Sequence, residues 1–244
     1  MDQTMERADN FLPRVDESSI APNQVDRRVV SLTAPASTAA EQYRTLYYRL
    51  ERLRELRPMK VVALTSAMQG EGKTVTSVNL ALTSARANPD RRILLLDADL
   101  RRGQVGEVLG CGNKPGLSDF LAGDAELNQI VRGFKATRLA VIPSGAVPEE
   151  PTQLLASARM KELLHAVRAN FDEVYVDLPP TLPFADAPIL ACQSDGVVMV
   201  IRANVTPSLR VDHALEQLAG APVVGCVLNG AELSSTPYLK SYMK

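Results

Sequence analysis

Apolar and polar positions divide this chain into three textures. Residues 1–36 hold no sustained period, with Pro13, Pro22 and Pro35 scattered among many Ser, Asp and Asn residues. Such a stretch buries too little apolar surface to offset its ordering entropy, so it predicts a flexible N-terminal tail. Within it, only Val29–Leu32 is apolar enough to add an edge strand. Thr38-Ala-Ala-Glu41 then has the Thr-x-x-Glu spacing of a capping box, in which hydroxyl and carboxylate satisfy orphan backbone donors. Tyr43, Leu46, Tyr47, Leu50 and Leu53 follow at three- and four-residue steps, predicting an amphipathic helix over 38–57 that stops before Pro58.

From residue 60 onward, short apolar runs alternate with helical segments. The predicted strands are Lys60–Thr65, Arg92–Leu96, Leu139–Ile142, Glu173–Asp177, Gly196–Ile201 and Val223–Leu228. Most are apolar at consecutive positions, which suits strands covered on both faces. Helical patterns at Thr74–Ala87, Ala158–Arg168 and Ser208–Ala219 complete repeated βα units. The expected fold is α/β: a doubly wound, mostly parallel sheet flanked by helices. The chain thus divides into a tail at 1–36, a domain at 37–230 and a C-terminal tail at 231–244.

Composition narrows the function. The 244 residues are 45% hydrophobic and 23% charged, enough for a real core. Lys plus Arg number 27 against 28 Asp plus Glu, a net charge of −1 that offers no global footprint for nucleic acid. Cys111, Cys192 and Cys226 are too far apart for a disulfide framework or a zinc site and read as small buried thiols. His165 and His213 have no partner at metal-ligand spacing and read as structural or surface residues. No apolar run approaches the ~18 residues that span a bilayer. The start, MDQTMERADN, is polar and acidic, unlike a signal peptide, so a cytoplasmic protein is expected.

The chemistry lies between the first strand and the next helix, in Ala67-Met-Gln-Gly-Glu-Gly-Lys73-Thr74. This is the relaxed P-loop pattern, with Ala67 in a place usually held by Gly. Gly70 and Gly72 let the backbone turn its N–H groups toward phosphate oxygens, and the helix that follows presents its positive dipole end. Lys73 should reach the β- and γ-phosphates and the Thr74 hydroxyl should ligate Mg²⁺, so Gly70, Glu71, Gly72, Lys73, Thr74 and Val75 form the expected ATP cradle. Two strands end in carboxylates, Ile-Leu-Leu-Leu-Asp97-Ala-Asp99 and Glu-Val-Tyr-Val-Asp177. Open parallel sheets bind ligands at the carboxyl ends of their strands, so these groups should converge on the P-loop. Asp177 suits a hold on Mg²⁺ and its water; Asp97 or Asp99 would polarise an incoming hydroxyl or water, with Arg101 offsetting charge.

At these residues the sequence resembles the bacterial tyrosine kinases, or BY-kinases. The likeness runs from about residue 38 to 230 through SAMQGEGKT, ILLLDADLRR, GLSDFLAGD, LAVIPSGAVPEEPTQLLAS and FDEVYVDLPP. It implies Asp97 and Asp99 near Mg²⁺ and the acceptor hydroxyl, with Asp177 as the Walker B aspartate. It also implies an autokinase that phosphorylates tyrosines of a C-terminal tail in trans within a homo-oligomer. The resemblance further implies activation by a separate transmembrane protein governing polysaccharide chain length, which would recruit the kinase to the inner face of the membrane and control exopolysaccharide synthesis.

Tyr238 and Tyr242 fall within the last seven residues and are the expected phosphoacceptors, a thin version of the family's tyrosine cluster. The family's ring motif, Glu-x-x-Arg-x-x-Arg, is matched by Glu41 and Arg44, whereas its third position is Tyr47. Arg44, Arg49, Arg52, Arg54 and Arg57 make that helix basic, as a solvated face or an oligomer interface. Partition and Min-type ATPases share this Walker A′ style but begin their P-loop with a signature lysine, where this chain has Met68. The alternative function is an ATP-binding switch that controls a membrane partner without phosphorylating tyrosine.

Overall fold

A computed structural model describes residues 24–134, 137–182 and 184–231. One sheet is built from β1 (Val61–Ser66), β2 (Ile93–Asp97), β3 (Arg132–Gly133), β4 (Leu139–Ile142), β5 (Glu173–Asp177), β6 (Gly196–Arg202) and β7 (Val223–Asn229). Their spatial order is β3-β4-β2-β5-β1-β6-β7. Only the short β3, which the hydropathy pattern did not predict, runs antiparallel to its neighbour; the other pairs are parallel. The six predicted strands lie within one residue of their observed ends.

Two helical layers cover the sheet. On one face lie α1 (Val30–Thr33), α2 (Thr38–Leu56), α3 (Lys73–Ala87) and α4 (Val105–Val108). On the other lie α5 (Leu117–Ala122), α6 (Leu127–Ile130), α7 (Pro151–Ala156), α8 (Ala158–Asn170), α9 (Asp186–Ala191) and α10 (Ser208–Gln217). The strands feed both layers in alternation. Val62 and Leu64 of β1, Leu95 of β2 and Tyr175 of β5 join the cluster under α2 and α3, and Val61, Ala63, Leu94, Leu96, Val174 and Val176 join the other. That is why these runs are apolar at every position: successive side chains point to opposite faces and both faces are covered.

Helix α3 is nearly engulfed, and its polar residues are docking points. Asn79 accepts from the Ser31 N–H at 2.8 Å and donates to the Arg28 carbonyl at 3.0 Å, while the Ser31 hydroxyl lies 3.0 Å from that of Thr83. These bonds, with Val29 buried against the core, correct two expectations. Val29–Leu32 contributes to a helical turn rather than an edge strand, because its polar anchors face a helix and not a sheet edge. Residues 24–36 are packed on the domain; residues 1–23 lie outside the described residues.

The cap of α2 is Ser37, one residue before the expected Thr38: its hydroxyl accepts from the Ala40 N–H at 3.2 Å, while Glu41 pairs with Arg44. Cys192 and Cys226 are exposed and Cys111 is half-buried, so the thiols are not the buried residues their usual preference predicts. Arg54, expected on a basic outer face, lies mostly inside, where it pairs with Glu51 and Glu173.

Candidate active site

The loop after β1 turns on two glycines. Gly70 and Gly72 have φ of 82° and 91°, the left-handed region that only glycine enters cheaply. Gly72 is held to glycine twice over, because a Cβ there would sit 2.1 Å from the Asn229 side-chain nitrogen. Gly72 also caps α3, so Lys73 stands on the first turn of that helix beside its free N–H groups. In the sheet order β5 lies beside β1 and β2 beyond it, so the carboxyl ends of the three strands bring distant segments together.

At their meeting point Lys73 Nζ lies 2.9 Å from Asp99 Oδ2 and 3.4 Å from Asp177 Oδ2. The Thr74 hydroxyl donates to the same Asp177 oxygen at 2.6 Å. Ser77, one helical turn on, donates to the other Asp177 oxygen at 2.9 Å. Asp97 stands behind this cluster. Fully buried, it accepts from the Val105 N–H at 3.0 Å and the Asp99 N–H at 3.1 Å. The two aspartates of β2 are thereby separated: Asp99 lines the cavity and meets Lys73, while Asp97 braces the turn that presents it.

The electrostatics follow from three carboxylates facing one ammonium. Burial, reinforced by the charge of Asp177, pushes the Asp97 carboxyl up to about 8. Burial also raises Asp177, against the opposing pull of Lys73, Thr74 and Ser77. For Lys73, burial pulls the ammonium down, but Asp177, Asp99 and Asp97 together hold it above its ordinary value. At about 8 the Asp97 carboxyl is mostly protonated near neutral pH. That leaves two carboxyl groups, Asp99 and Asp177, around one ammonium, and their oxygens are the donors that suit a divalent cation. Among the described residues, no group of three or more His, Cys, Asp or Glu is arranged to hold a metal by itself. Nucleotide sites bind Mg²⁺ through one or two carboxylates together with the substrate's phosphates, so Thr74 with Asp177 and Asp99 fits.

A cavity of about 660 Å³ opens over this cluster. Its floor is the P-loop, including Gly70, Gly72, Lys73, Thr74 and Val75. On the β2 and β5 side stand Arg101, Arg102, Pro179, Pro180 and Phe184; on the β6 and β7 side stand Arg202 and Asn229; Arg28 and Tyr43 form the third wall. The side chains of two expected contributors are engaged by other groups of the protein. Arg101 does not stand free to offset phosphate charge, because its guanidinium is bonded to the buried Asp186 at 2.6 Å and to Thr152 at 3.1 Å. Glu71 is 3% exposed and faces inward, accepting from the Met68 N–H at 2.8 Å and from the Thr206 hydroxyl. Its carbonyl accepts from Asn229 at 2.9 Å, and the Gly70 carbonyl accepts from Arg202 at 2.9 Å. The loop is thus latched to the ends of β6 and β7. Ser77 was within reach of sequence reasoning, four residues after Lys73 on one helix face. Arg202, Thr206 and Asn229, more than 130 residues from the P-loop, carried no local signal.

A family model described as an AAA domain matches residues 59–215. The tyrosine-protein kinase YwqD of Bacillus subtilis (strain 168) is 38% identical over 214 residues, which are 87% of this chain and 90% of that protein. The kinase domain of the Escherichia coli tyrosine kinase ETK superposes with a TM-score of 0.78 at 32% identity, over 86% of this chain and 83% of the other. The chain belongs to the bacterial tyrosine kinase family. The fold extends further: MinD of Pyrococcus horikoshii OT3, complexed with Mg-ADP, superposes with a TM-score of 0.57 at 23% identity, a likeness of fold alone.

Membership sharpens what the geometry shows at the family's motifs. This kinase-family P-loop has an exposed Met68 where partition-type ATPases carry their lysine. Glu41 and Arg44 stand on the outer face of α2, paired with each other. Tyr47 is 1% exposed and packed into the core, its hydroxyl accepting from Asn88, so the third ring position is not on the surface. Tyr238 and Tyr242 lie outside the described residues. No helix among the described residues is long and apolar enough to cross a membrane.

Proposed function

We propose that the chain is an ATP-dependent protein tyrosine kinase that phosphorylates Tyr238 and Tyr242 of its own C-terminal segment, in trans within an oligomer. The observation that carries the reading is the cluster in which Lys73 sits between Asp99 and Asp177 while Thr74 bonds the same Asp177 oxygen, at the floor of a cavity large enough for a nucleotide. Gly70 to Val75 hold the phosphates through backbone N–H groups, and Lys73 places its charge on the γ-phosphoryl. Thr74, Asp177 and Asp99 would hold magnesium, which when bound supplies charge neutralisation at the phosphates. The tyrosine oxygen forms its bond to phosphorus as the bond from phosphorus to the β,γ-bridging oxygen breaks, and ADP leaves with that electron pair. Asp99, in the cavity, accepts the phenolic proton; Asp97 holds Asp99 in place through its backbone. Positioning and charge supply most of the rate in such transfers.

In this reading the protein works on the cytoplasmic side of the membrane, recruited by a transmembrane activator of a polysaccharide co-polymerase system, and regulates exopolysaccharide synthesis. Glu41 and Arg44 would contribute to the oligomer contact. Support for these points is the family likeness and the exposure of that pair.

A second reading, a nucleotide-dependent switch without tyrosine transfer, is favoured by one observation: Tyr47 is packed in the core, so the ring motif is incomplete at the surface. Phosphosite mapping after incubation with Mg-ATP, with Lys73→Met as control, separates the two. Phosphate on Tyr238 or Tyr242 in the unmodified chain alone is the expected result. Nucleotide binding with no tyrosine modified, even with an activator's cytoplasmic segment added, would replace the kinase by the switch.

A further inference from the structure

We propose that Phe184 is the seat of the acceptor's aromatic ring: an incoming tyrosine packs on Phe184 and the Pro179–Pro180 edge, its hydroxyl toward Asp99. The inference rests on the kinase reading and adds to it the side of the cavity that receives the substrate hydroxyl.

Topology divides the cavity. The P-loop follows β1, with β5 and β2 on one side and β6 and β7 on the other. Lys73 reaches only toward the β2 and β5 side, to Asp99 and Asp177, which places the terminal phosphate there. The rest of the nucleotide then runs toward Arg202 and Asn229. Whatever lines the wall beyond Lys73 faces the group that attacks.

That wall is built for a flat apolar ring. Phe184 is 39% exposed and lines the cavity beside Pro179 and Pro180. Scattered exposed apolar residues need no explanation, but this one has a fixed cation held against its ring. The Arg101 guanidinium lies 3.9 Å from the ring centroid, and buried Asp186 and Thr152 pin that guanidinium in turn. A cation over an aromatic face is attracted by the ring's quadrupole and fixes its orientation. Fixed aromatic surfaces receive other rings in offset or edge-to-face geometry. Of the two cations on this wall, Arg101, the one against Phe184, is committed to Asp186, while Arg102 turns to Gln69 of the P-loop at 2.5 Å. A role under the nucleotide base is disfavoured because Phe184 follows β5, across the P-loop from Asn229.

The test is steady-state transfer from Mg-ATP to an added peptide carrying residues 232–244, using the full chain and Phe184→Ala, Phe184→Leu and Phe184→Trp. Phe184→Ala should raise the peptide KM ~10-fold, the loss of one ring contact. The Kd of a fluorescent ATP analogue should stay unchanged. Phe184→Trp should keep the KM and Phe184→Leu should fall between. The same peptide with its tyrosines changed to phenylalanine should compete with the acceptor in the unmodified protein but not in Phe184→Ala. An unchanged peptide KM in Phe184→Ala overturns the seat while leaving the kinase standing. A parallel loss of analogue binding overturns it by giving Phe184 to the nucleotide. Analogue binding without any tyrosine transfer by the unmodified protein overturns the kinase reading itself, and the seat falls with it.

Discussion

One strand, β5, begins and ends in a buried carboxylate, and the two ends are arranged oppositely. At its start Glu173 meets Arg54 at 2.7 Å and Arg91 at 2.8 Å, and accepts from Ser84 at 2.8 Å and Tyr175 at 2.7 Å. Glu51 shares both arginines, so two carboxylates meet two guanidiniums. At its end Asp177 shares a single ammonium with Asp99, and Asp97 stands behind them. Balance at the N-terminal edge of the sheet holds the fold together. Surplus at the C-terminal edge is held ready for a cation that the fold does not itself supply. Burial alone therefore does not say what a carboxylate is for; the count of opposing charges around it does.

Removing the single ammonium gives the largest effect. Lys73→Met should lower tyrosine transfer by ~100-fold or more, the scale of losing one preorganised charge at a reacting centre. Its far-ultraviolet circular dichroism should match that of the unmodified chain. At the other edge the loss should appear in stability. Glu173→Ala leaves the mostly buried Arg54 and the half-exposed Arg91 to share Glu51 alone and should cost about 3 kcal/mol, the low end for breaking a buried pair. Urea unfolding measures it, and nucleotide affinity in the folded protein should be retained. A Glu173 variant as stable as the parent would mean that the lower edge is not the structural one.

The sequence made the upper edge legible and left the lower edge hidden, for a physical reason. Asp97, Asp99 and Asp177 each follow an apolar run, and Lys73 and Thr74 sit in a local pattern, so short-range spacing announces them. The strands were equally plain, because sandwiching between two helical layers makes every position apolar. Glu173 meets Arg54 and Arg91 across 119 and 82 positions, as the residue numbers of these pairs show. Nothing local marks such a contact. The same blindness explains Val29–Leu32, whose β-branched start suggested a strand until Asn79 and Thr83 gave Ser31 a helix to dock on. It also explains Arg101, whose partner Asp186 belongs to another element.

A smaller effect tests whether the upper edge depends on β6 and β7. Glu71 ties the P-loop to Thr206, and Thr206→Val removes the hydroxyl while keeping the shape. One lost hydrogen bond to a carboxylate is worth about 1.5–3 kcal/mol. Part of that should appear as weaker nucleotide binding, by roughly 5-fold, since about 1 kcal/mol is that factor in an equilibrium constant. Titration with a fluorescent ATP analogue reads it. Unaltered affinity would show that the loop keeps its shape without the latch.

The finest distinction between the edges is their response to pH. Asp195, just before β6, accepts from the Val61 N–H at 2.7 Å and the Lys60 N–H at 2.9 Å and pairs with Arg168 at 2.7 Å. Burial pushes its carboxyl up, but Arg168 and the backbone donors pull it further down, below its ordinary value. A carboxyl lowered by folding adds stability above its unfolded pKa of about 3.9, and that increment is lost as pH falls through the lower folded value. Asp195→Asn keeps the outline and removes the charge. The Tm gap between the two proteins should therefore be constant from about pH 5 to 8 and close below about pH 4. A gap that persisted undiminished in acid would assign Asp195 a purely steric role and leave the lower edge's balance to Glu173 and its arginines alone.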